Sequence, residues 1–336
     1  MLRDMMPPFE LFQPTTVDAA LELLDRYGED GWKLAGGYDS LDWFKDRTKR
    51  PSAVIDLEGI EELRGIRETG DGLEIGAVAT LTEIESHAAI QRDYGLLADA
   101  ARHVASPQIR NAGTLGGNVC QDTRCWYYRA GLKCYRAGGN ICYADTPEGM
   151  NREHSLFGAN RCVAVSPSDT APALVALDAE MVVRSPGGER IIPAEDFFMG
   201  PATDITRMTV LEPEDLLVAV RLPATWAGAR FRFEKVADRG SWDFPLVNLA
   251  TALRTSGDGD VVEDVRIVAG AVQCVPRRLR GAEDLVRGSR RGSAEDVARL
   301  AVRAGAVSVE GAEPLNYNHF KVPLLERLVA RAVREV

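Results

Sequence analysis

The sequence predicts an α+β fold in two parts, because helical and strand patterns alternate along all 336 residues. Apolar residues spaced three and four apart predict helices near both ends, and short β-branched runs predict strands between them. Residues 223–228 begin with proline and end with glycine, so the boundary between the parts is expected there.

The first part is expected to begin with a helix that Thr16 caps and that ends at Gly28. Strands are expected at residues 33–35, 54–57 and 73–77, and a further helix at residues 96–105. Asp169 or Thr170 is expected to cap a short helix through Leu177. A hairpin follows at residues 180–184 and 190–193.

The second part is expected to contain a strand at residues 231–236, a segment at 246–254 and a strand at 265–272. The turn-rich sequence SGDGD at residues 256–260 separates the last two. Ser293 with Asp296 fits a capping box for a helix to about residue 304, and a final amphipathic helix is expected at residues 322–333.

Charge and hydropathy exclude several classes of protein. The net charge is −10 and the pI is about 5.1, which disfavours a nucleic-acid surface because phosphate binding needs clustered Lys and Arg. No apolar run approaches the roughly 18 residues that span a bilayer. The N-terminal sequence MLRDMMPPFELF has no export signal. The cytoplasm is therefore expected, or the periplasm if a signal-bearing partner exports the folded chain.

One stretch, residues 113–169, holds five of the six cysteines: Cys120, Cys125, Cys134, Cys142 and Cys162. It is polar and rich in glycine, and a long loop without regular structure is uncommon and usually functional. A hydrophobic core is not expected to hold such a segment. A thiolate-bound metal centre is therefore the first candidate.

Five cysteines compete for the four places of a 4Fe–4S cluster. Cys120 directly follows a glycine pair, where a small buried residue suits the packing, so it is left out. The remaining candidate ligands are Cys125, Cys134, Cys142 and Cys162. Spacing alone leaves open an iron–sulfur cluster, zinc held by four thiolates or by three with His154, and disulfides. Cys274, in an apolar strand, is expected to pack in the core.

Two short segments, Ala35-Gly36-Gly37 and Thr114-Leu115-Gly116-Gly117, each place two glycines beside a small or hydroxyl residue. Paired glycines expose consecutive backbone N–H groups that bind anions, so two such turns suit the two phosphates of a dinucleotide. Ordinary turn formation is the alternative for either pair. The chain has no GxGxxG fingerprint and no P-loop lysine, so neither a Rossmann nor an NTPase site is predicted.

Five motifs spread over essentially the whole chain carry a family resemblance: AGGYDS, QIRNAGTLGGN, SPSDTAPAL, DFFMG and FEKVADRGSWDFPLVNLATAL. With them the chain resembles the FAD-binding (medium) subunit of the xanthine oxidase family of molybdenum hydroxylases. The cysteine-rich insertion looks like the 4Fe–4S insertion in the flavin subunit of periplasmic-type bacterial aldehyde oxidoreductases. It is less close to that of 4-hydroxybenzoyl-CoA reductase.

The resemblance implies an FAD-binding domain of two α/β subdomains over residues 1–225, with the 4Fe–4S loop inserted at about 119–163. A smaller α/β domain would cover residues 229–336. The FAD pyrophosphate would lie against two groups of residues: Ala35, Gly36, Gly37, Tyr38, Asp39 and Ser40, and Thr114, Gly116, Gly117 and Asn118. Tyr38 departs from the common pattern, in which Thr or His is frequent at this position.

By the same resemblance, Asp169 would hold the adenosine ribose and Lys235 would lie near the isoalloxazine. The residues themselves leave simpler roles open. Asp169 can cap its helix, and Lys235 can be a solvated lysine on a strand. Trp242 and Phe244 are expected in the core or at an interface.

The implied activity is electron transfer within a heterotrimeric molybdenum hydroxylase that oxidises an aldehyde. Electrons would pass from the molybdenum cofactor of a large partner through 2Fe–2S clusters of a small partner to FAD in this chain, and then to an external acceptor. No catalytic acid or base is expected here, because the cofactor carries the chemistry. The 4Fe–4S cluster is expected to hold the loop more than to conduct electrons.

Two other functions remain open at this stage. One is a reductase of the 4-hydroxybenzoyl-CoA type, in which electrons flow inward. The other is a non-catalytic assembly module whose cysteine loop is held by zinc.

Overall fold

Strands and helices interleave along the chain, which confirms the α+β class. The computed structural model describes residues 6–257, 259 and 261–336. The strands are β1 Glu10–Phe12, β2 Gly31–Leu34, β3 Ala53–Asp56, β4 Ile66–Thr69, β5 Gly72–Gly76, β6 Glu180–Ser185, β7 Gly188–Pro193, β8 Leu216–Pro223, β9 Arg230–Val236, β10 Val247–Thr255, β11 Val262–Gly270 and β12 Arg277–Arg278. The helices are α1 Val17–Tyr27, α2 Ser40–Lys45, α3 Leu81–Ser86, α4 Ala88–Asp93, α5 Gly95–Arg102, α6 Pro107–Arg110, α7 Leu115–Cys120, α8 Trp126–Arg129, α9 Thr170–Ala176, α10 Ala194–Phe197, α11 Arg280–Val286, α12 Ala294–Ser308 and α13 Lys321–Glu335.

The strands form three sheets. A parallel sheet has the order β1-β3-β2, and a five-stranded antiparallel sheet has the order β4-β5-β8-β6-β7. The third sheet, β12-β11-β10-β9, is antiparallel and lies in the C-terminal part. The segment Ala35–Ser40 comes directly after β2, at the carboxyl edge of the parallel sheet, where a ligand is commonly bound.

Two large apolar clusters form the cores of the molecule and hold its two parts together. One packs α3, α5 and α9 between the five-stranded sheet and residues of β9 and β10, including Phe233 and Ala250. The other packs α11, α12 and α13 on the opposite face of the C-terminal sheet, and it takes in Leu156 and Phe157 from the end of the cysteine loop. Apolar burial therefore anchors that end of the loop on the C-terminal part.

Several predicted elements are confirmed together with their caps. The Thr16 Oγ1 accepts a hydrogen bond from the Ala19 N–H at 3.2 Å, and α1 ends at Gly28, which has a φ of 50°. Ser293 and Asp296 form the expected capping box of α12. The strands β2, β3, β5, β9 and β11, the helix α5, the hairpin β6–β7 and the helix α13 lie close to their predicted positions.

Two local predictions are wrong. The second glycine segment is not a turn, because it begins the helix α7, in which Thr114 Oγ1 accepts from the Gly117 N–H at 3.0 Å. Asp169 makes no side-chain cap for α9, and Ser168 Oγ instead accepts from the Ala171 N–H at 3.0 Å. A cap strong enough to begin α7 offsets the low helix propensity of its two glycines.

Part of the N-terminal sequence and part of the predicted turn at 256–260 lie outside the described residues, at positions 1–5, 258 and 260. Within the described part of the chain, every helix is too short or too polar to cross a membrane.

Candidate functional site

A cleft of about 610 Å³ lies at the junction of the two parts. Both glycine segments line it, and so does Asp169. Residues 206–211 and 242–244 complete the wall. The cleft therefore brings together the predicted pyrophosphate-binding residues and the predicted ribose-binding carboxylate. Its volume lies within the range of about 300–1,000 Å³ that is typical of ligand and cofactor sites.

The first glycine segment presents a row of free amides. The backbone N–H groups from Gly36 to Ser40 have no hydrogen-bond acceptor among the described residues. Gly37 has a φ of 79°, which favours glycine and bends the chain at the end of β2. Consecutive N–H groups of this kind suit a phosphate group.

The second glycine segment is built differently. Its N–H groups are already used: Gly116 donates to the Ala77 carbonyl at 2.8 Å, and Asn118 donates to the Thr114 carbonyl at 2.9 Å. A Cβ atom on Gly116 would lie 2.8 Å from the Ala77 oxygen. The glycine is thus needed for close approach of α7 to the chain after β5, and this segment walls the cleft without offering a row of amides.

Asn118 connects the second glycine segment, which forms one wall of the cleft, to the start of α9. Its Oδ1 accepts from Ser168 Oγ at 2.7 Å and from Thr170 Oγ1 at 2.6 Å. Asn118 is buried and lines the cleft, and its amide nitrogen donates no hydrogen bond to the described residues. This leaves one donor at the wall for a ligand.

Asp169 and Lys235 form a buried ion pair behind the cleft. The Lys235 Nζ donates to Asp169 Oδ2 at 2.6 Å and to the carbonyls of His103 and Asp243 at 2.9 and 2.7 Å. Only 6% of the Lys235 side chain is exposed, so a solvated lysine is excluded. Lys235 does not line the cleft, whereas its partner Asp169 does, so the predicted direct contact of Lys235 with a cofactor is not found.

The charge state of Asp169 depends on this pair. Burial raises the pKa of Asp169, and the Lys235 ammonium and the Asn248 amide oppose that rise. The Asn248 Nδ2 donates to Asp169 Oδ1 at 2.8 Å. Three strand or helix ends, from β9, β10 and α9, thereby fix one carboxylate at the wall of the cleft.

Asp39 connects the first glycine segment to the cysteine loop. Its Oδ1 accepts from Arg129 Nη2 at 2.5 Å and lies 3.0 Å from Arg124 Nη2. Its Oδ2 accepts from the backbone N–H of Asp122 at 3.3 Å. The carboxylate is thus directed to the loop, and only the backbone of Asp39 is left to contact a phosphate.

The four candidate ligands converge inside the loop. Cys134 and Cys162 are buried, and Cys125 and Cys142 are partly buried. Cys125 lies within electrostatic reach of Cys142 and Cys162, and Cys162 lies within reach of Cys134. Apart from α8 and short 3₁₀ turns, residues 121–169 are irregular, so side-chain contacts must hold them.

Buried thiolates in this loop need a positive partner. Burial raises the pKa of Cys125 to about 11, against the opposing backbone N–H groups of Tyr128 and Tyr127. Burial also raises the pKa of Cys162. A metal lowers the pKa of its thiol ligands and releases their protons, so metal binding would stabilise the charged form here.

The side chains alone do not form a ready-made metal centre. Over the described residues, no group of three or more His, Cys, Asp and Glu side chains is arranged so that it could hold a metal ion. Zinc binds each sulfur at about 2.3 Å, which requires its ligands to crowd around one point. In a 4Fe–4S cluster each cysteine binds a different iron, so the sulfurs lie farther apart. All six cysteines are free, so the disulfide alternative is not found.

His154 contacts this group. Its Nε2 lies 3.3 Å from the Cys125 Sγ, and its Nδ1 is buried without a hydrogen bond. Burial, and then the nearby Lys321 ammonium, lower the pKa of His154 to about 4, so the imidazole is neutral at pH 7.

Two cysteines lie outside the group. Cys274 is buried with its Sγ 3.7 Å from the Met208 Sδ, which confirms it as a core residue. Cys120 was expected to be buried, and that is wrong: its side chain is exposed and lines the cleft near Lys33. The cause is its place at the last turn of α7, on the face toward the cleft.

Sequence reasoning missed part of the site. Trp242 and Phe244 are 65% and 43% exposed and line the cleft, so they are not core residues. The motif FEKVADRGSWDF contained the signal, since two aromatic residues follow a glycine turn there. Residues 206–211 carried no comparable signal.

A second cleft of about 910 Å³ adjoins the first. Arg124 and Phe244 line both clefts, and the Arg124 guanidinium lies 4.4 Å from the centre of the Phe244 ring. Cys125 and His154 line the second cleft only. Cys125 therefore lies next to side chains, such as Arg124, that also line the candidate cofactor cleft.

Comparisons with known proteins match both parts of the chain. Residues 7–225 match the family described as the FAD binding domain in molybdopterin dehydrogenase, and residues 232–336 match the CO dehydrogenase flavoprotein C-terminal domain. The chain is 34% identical to the aldehyde oxidoreductase FAD-binding subunit PaoB of Escherichia coli (strain K12), over 90% of each chain. It is 31% identical to the carbon monoxide dehydrogenase medium chain of Hydrogenophaga pseudoflava, over 98% of this chain and 97% of that one.

A solved structure shows the same fold. Carbon monoxide dehydrogenase from Hydrogenophaga pseudoflava, in a form that lacks the Mo-pyranopterin moiety of the molybdenum cofactor, superposes with a TM-score of 0.75 at 27% identity. The superposition covers 99% of this chain and 96% of that chain. Two matched domains, a shared fold and a cleft suited to a dinucleotide lead to one conclusion. The chain belongs to the FAD-binding medium subunits of the xanthine oxidase family of molybdenum hydroxylases, which are oxidoreductases.

Proposed function

We propose that this chain is the electron-transfer subunit of a heterotrimeric molybdenum hydroxylase that oxidises an aldehyde, and that it holds both FAD and a 4Fe–4S cluster. The similarity to the FAD-binding subunit of an aldehyde oxidoreductase supports the substrate class. The observation that carries the proposal is the electrostatic proximity of four buried or partly buried cysteines in a loop whose Cys125 lines a cleft next to the proposed FAD cleft.

FAD is proposed to lie in the first cleft. The free amides of Gly36 to Ser40 would bind its pyrophosphate, with the Ala35 and Tyr38 segment completing the turn. Thr114, Gly116, Gly117 and Asn118 would form the opposite wall, where the Asn118 amide supplies a donor. Asp169 would accept from the adenosine ribose hydroxyls, since its carboxylate lines the cleft and pairs with the Lys235 ammonium.

Cys125, Cys134, Cys142 and Cys162 are proposed to hold the 4Fe–4S cluster. The backbone N–H groups of Tyr127 and Tyr128 near Cys125, and that of Ala164 near Cys162, favour the thiolate forms of these two cysteines. Hydrogen bonds of this kind accompany and tune iron–sulfur ligands.

The proposed assembly and boundaries follow from the family. A large molybdenum-cofactor subunit and a small 2Fe–2S subunit would be the partners. An FAD-binding domain would cover residues 1–225 with the cluster loop at about 119–163, and a C-terminal domain would cover residues 229–336. FAD and the cluster would supply the redox chemistry, while this chain binds, orients and shields them.

The direct test is cofactor analysis of the complex purified without oxygen. We expect one FAD and about four iron atoms for each copy of this chain, beyond the iron of the small subunit. Zinc in place of that iron would contradict the cluster, and a complex without flavin would contradict the FAD site.

A further inference from the structure

A buried histidine lies against one of the proposed cluster ligands. His154 is 3% exposed, and its Nε2 is 3.3 Å from the Cys125 Sγ. The two residues belong to different segments of the loop, separated by 29 positions. Their contact is therefore made by the fold of the loop and not by local sequence.

Residues of the C-terminal part bind the backbone carbonyl of His154. The Lys321 Nζ donates to the backbone carbonyl of His154 at 2.9 Å and to that of Ala271 at 2.9 Å. The Asn318 Nδ2 donates to the carbonyls of His154 and Ser155 at 3.1 and 3.0 Å. Lys321 and Asn318 are fully buried, so these bonds are protected from water. The backbone that carries the imidazole is thus held by contacts that involve no metal.

The chemistry of the pair gives the hydrogen bond its direction. An iron-bound thiolate carries no proton and can only accept, and the His154 Nδ1 makes no hydrogen bond that would compete for the ring proton. With the cluster bound, the Nε2–H tautomer is therefore the one that satisfies both groups. A donor at a ligand sulfur stabilises the more negative, reduced cluster and raises its reduction potential.

We propose that His154 is a positioning residue that donates its Nε2–H to the Cys125 sulfur and so raises the reduction potential of the cluster, with Lys321 and Asn318 holding it in place. This inference rests on the 4Fe–4S cluster proposed above. It concerns the potential of the cluster and not its presence.

The test compares two substitutions in the assembled complex by EPR-monitored redox titration. The signal of this cluster is identified as the one that disappears in Cys134→Ser. His154→Phe keeps the ring volume and removes the donor, so we expect unchanged iron content and a midpoint potential shifted to a lower value. His154→Gln returns an N–H donor near the same place, so its midpoint potential should lie between those of the wild type and His154→Phe. The matched control is Asn316→Ala, which removes bonds to the Thr146 and Pro147 carbonyls of the same loop and should leave the potential unchanged.

The outcomes separate the two proposals. A wild-type complex without the additional iron refutes the cluster itself. The inference is overturned if His154→Phe keeps the wild-type iron content and its midpoint potential does not shift. It is also overturned if Asn316→Ala shifts the potential as much as His154→Phe does. Loss of iron in both His154 variants, with their thermal transitions unchanged, would make the imidazole a ligand and would also overturn it.

Discussion

Asp169 shows how one side chain can serve both the fold and the site. It lies at the junction of α9, β9 and β10, and it is 3% exposed yet lines the cleft. Lys235 is its only ion-pair partner among the described residues. A buried charge that loses its partner is costly, so the Lys235 ammonium offsets part of the cost of placing a carboxylate at the cleft.

Removing the lysine tests this pair. Lys235→Met should lower the free energy of unfolding by about 3–5 kcal/mol, because the Asp169 carboxylate stays buried without its counter-charge. Chemical denaturation measures the change. Lys45→Met, at an exposed position, is the control and should change stability by less than about 0.5 kcal/mol.

The pH dependence of that variant has a definite sign. Burial already raises the pKa of Asp169, and loss of Lys235 raises it further. The folded variant then binds a proton that the unfolded chain releases, so its stability falls as pH rises through this window. The deficit relative to wild type should therefore be smaller at mildly acidic pH than at neutral pH. A constant deficit would contradict the assignment.

Gly36 allows the first glycine segment to pack closely against the backbone of Ala112. A Cβ atom at this position would overlap the backbone carbonyl of Ala112, which cannot move aside as a side chain can. Gly36→Ala should therefore displace the row of free amides and reduce the FAD content of the purified complex. Gly70→Ala, where a Cβ meets nothing within 4 Å, should retain full flavin. Full flavin in Gly36→Ala would contradict the assignment of this segment.

At the scale of elements, the turn after β2 and the cysteine loop are one unit. Asp39 carries both arginine contacts, and the Arg129 guanidinium also lies 3.9 Å from the centre of the Trp43 ring in α2. A change in the cysteine loop should therefore displace the turn after β2 through these polar contacts.

Asp39→Asn should uncouple them. It leaves Arg124 and Arg129 without their carboxylate, so both FAD retention and the thermal midpoint of the loop should fall. Flavin fluorescence released on heating measures both effects. Asp46→Asn is the matched control, because that exposed carboxylate makes no hydrogen bond or ion pair among the described residues. If the two variants behave alike, the coupling is absent.

Elements with a regular period were predictable, and contacts between distant segments were not. The cap at Thr16 and the two strands of the hairpin can be seen in sequence, because local residue patterns determine them. The helix α7 could not be predicted, because two adjacent glycines have low helix propensity. The Thr114 cap offsets that low propensity in the structure. The pairs Asp169–Lys235 and His154–Cys125 join residues 66 and 29 positions apart, and no local pattern indicates them.

At the scale of the whole molecule, the two clefts share a wall. Arg124 is adjacent in sequence to Cys125, and its guanidinium packs on Phe244 from the C-terminal part. The apolar clusters bring both parts to this wall, so the FAD cleft and the cysteine group are completed only when the whole chain folds. This arrangement places the cysteine loop beside the candidate cofactor cleft and not at a distant surface.

Iron content per chain in a set of cysteine variants tests the central claim most directly. The assembled complexes are purified without oxygen and compared with wild type. Serine at Cys125, Cys134, Cys142 or Cys162 should remove about four iron atoms per chain, or leave an incomplete cluster, whereas Cys120→Ser and Cys274→Ser should keep the wild-type amount. Equal iron in all six variants, or its loss only in Cys120→Ser, would contradict the account.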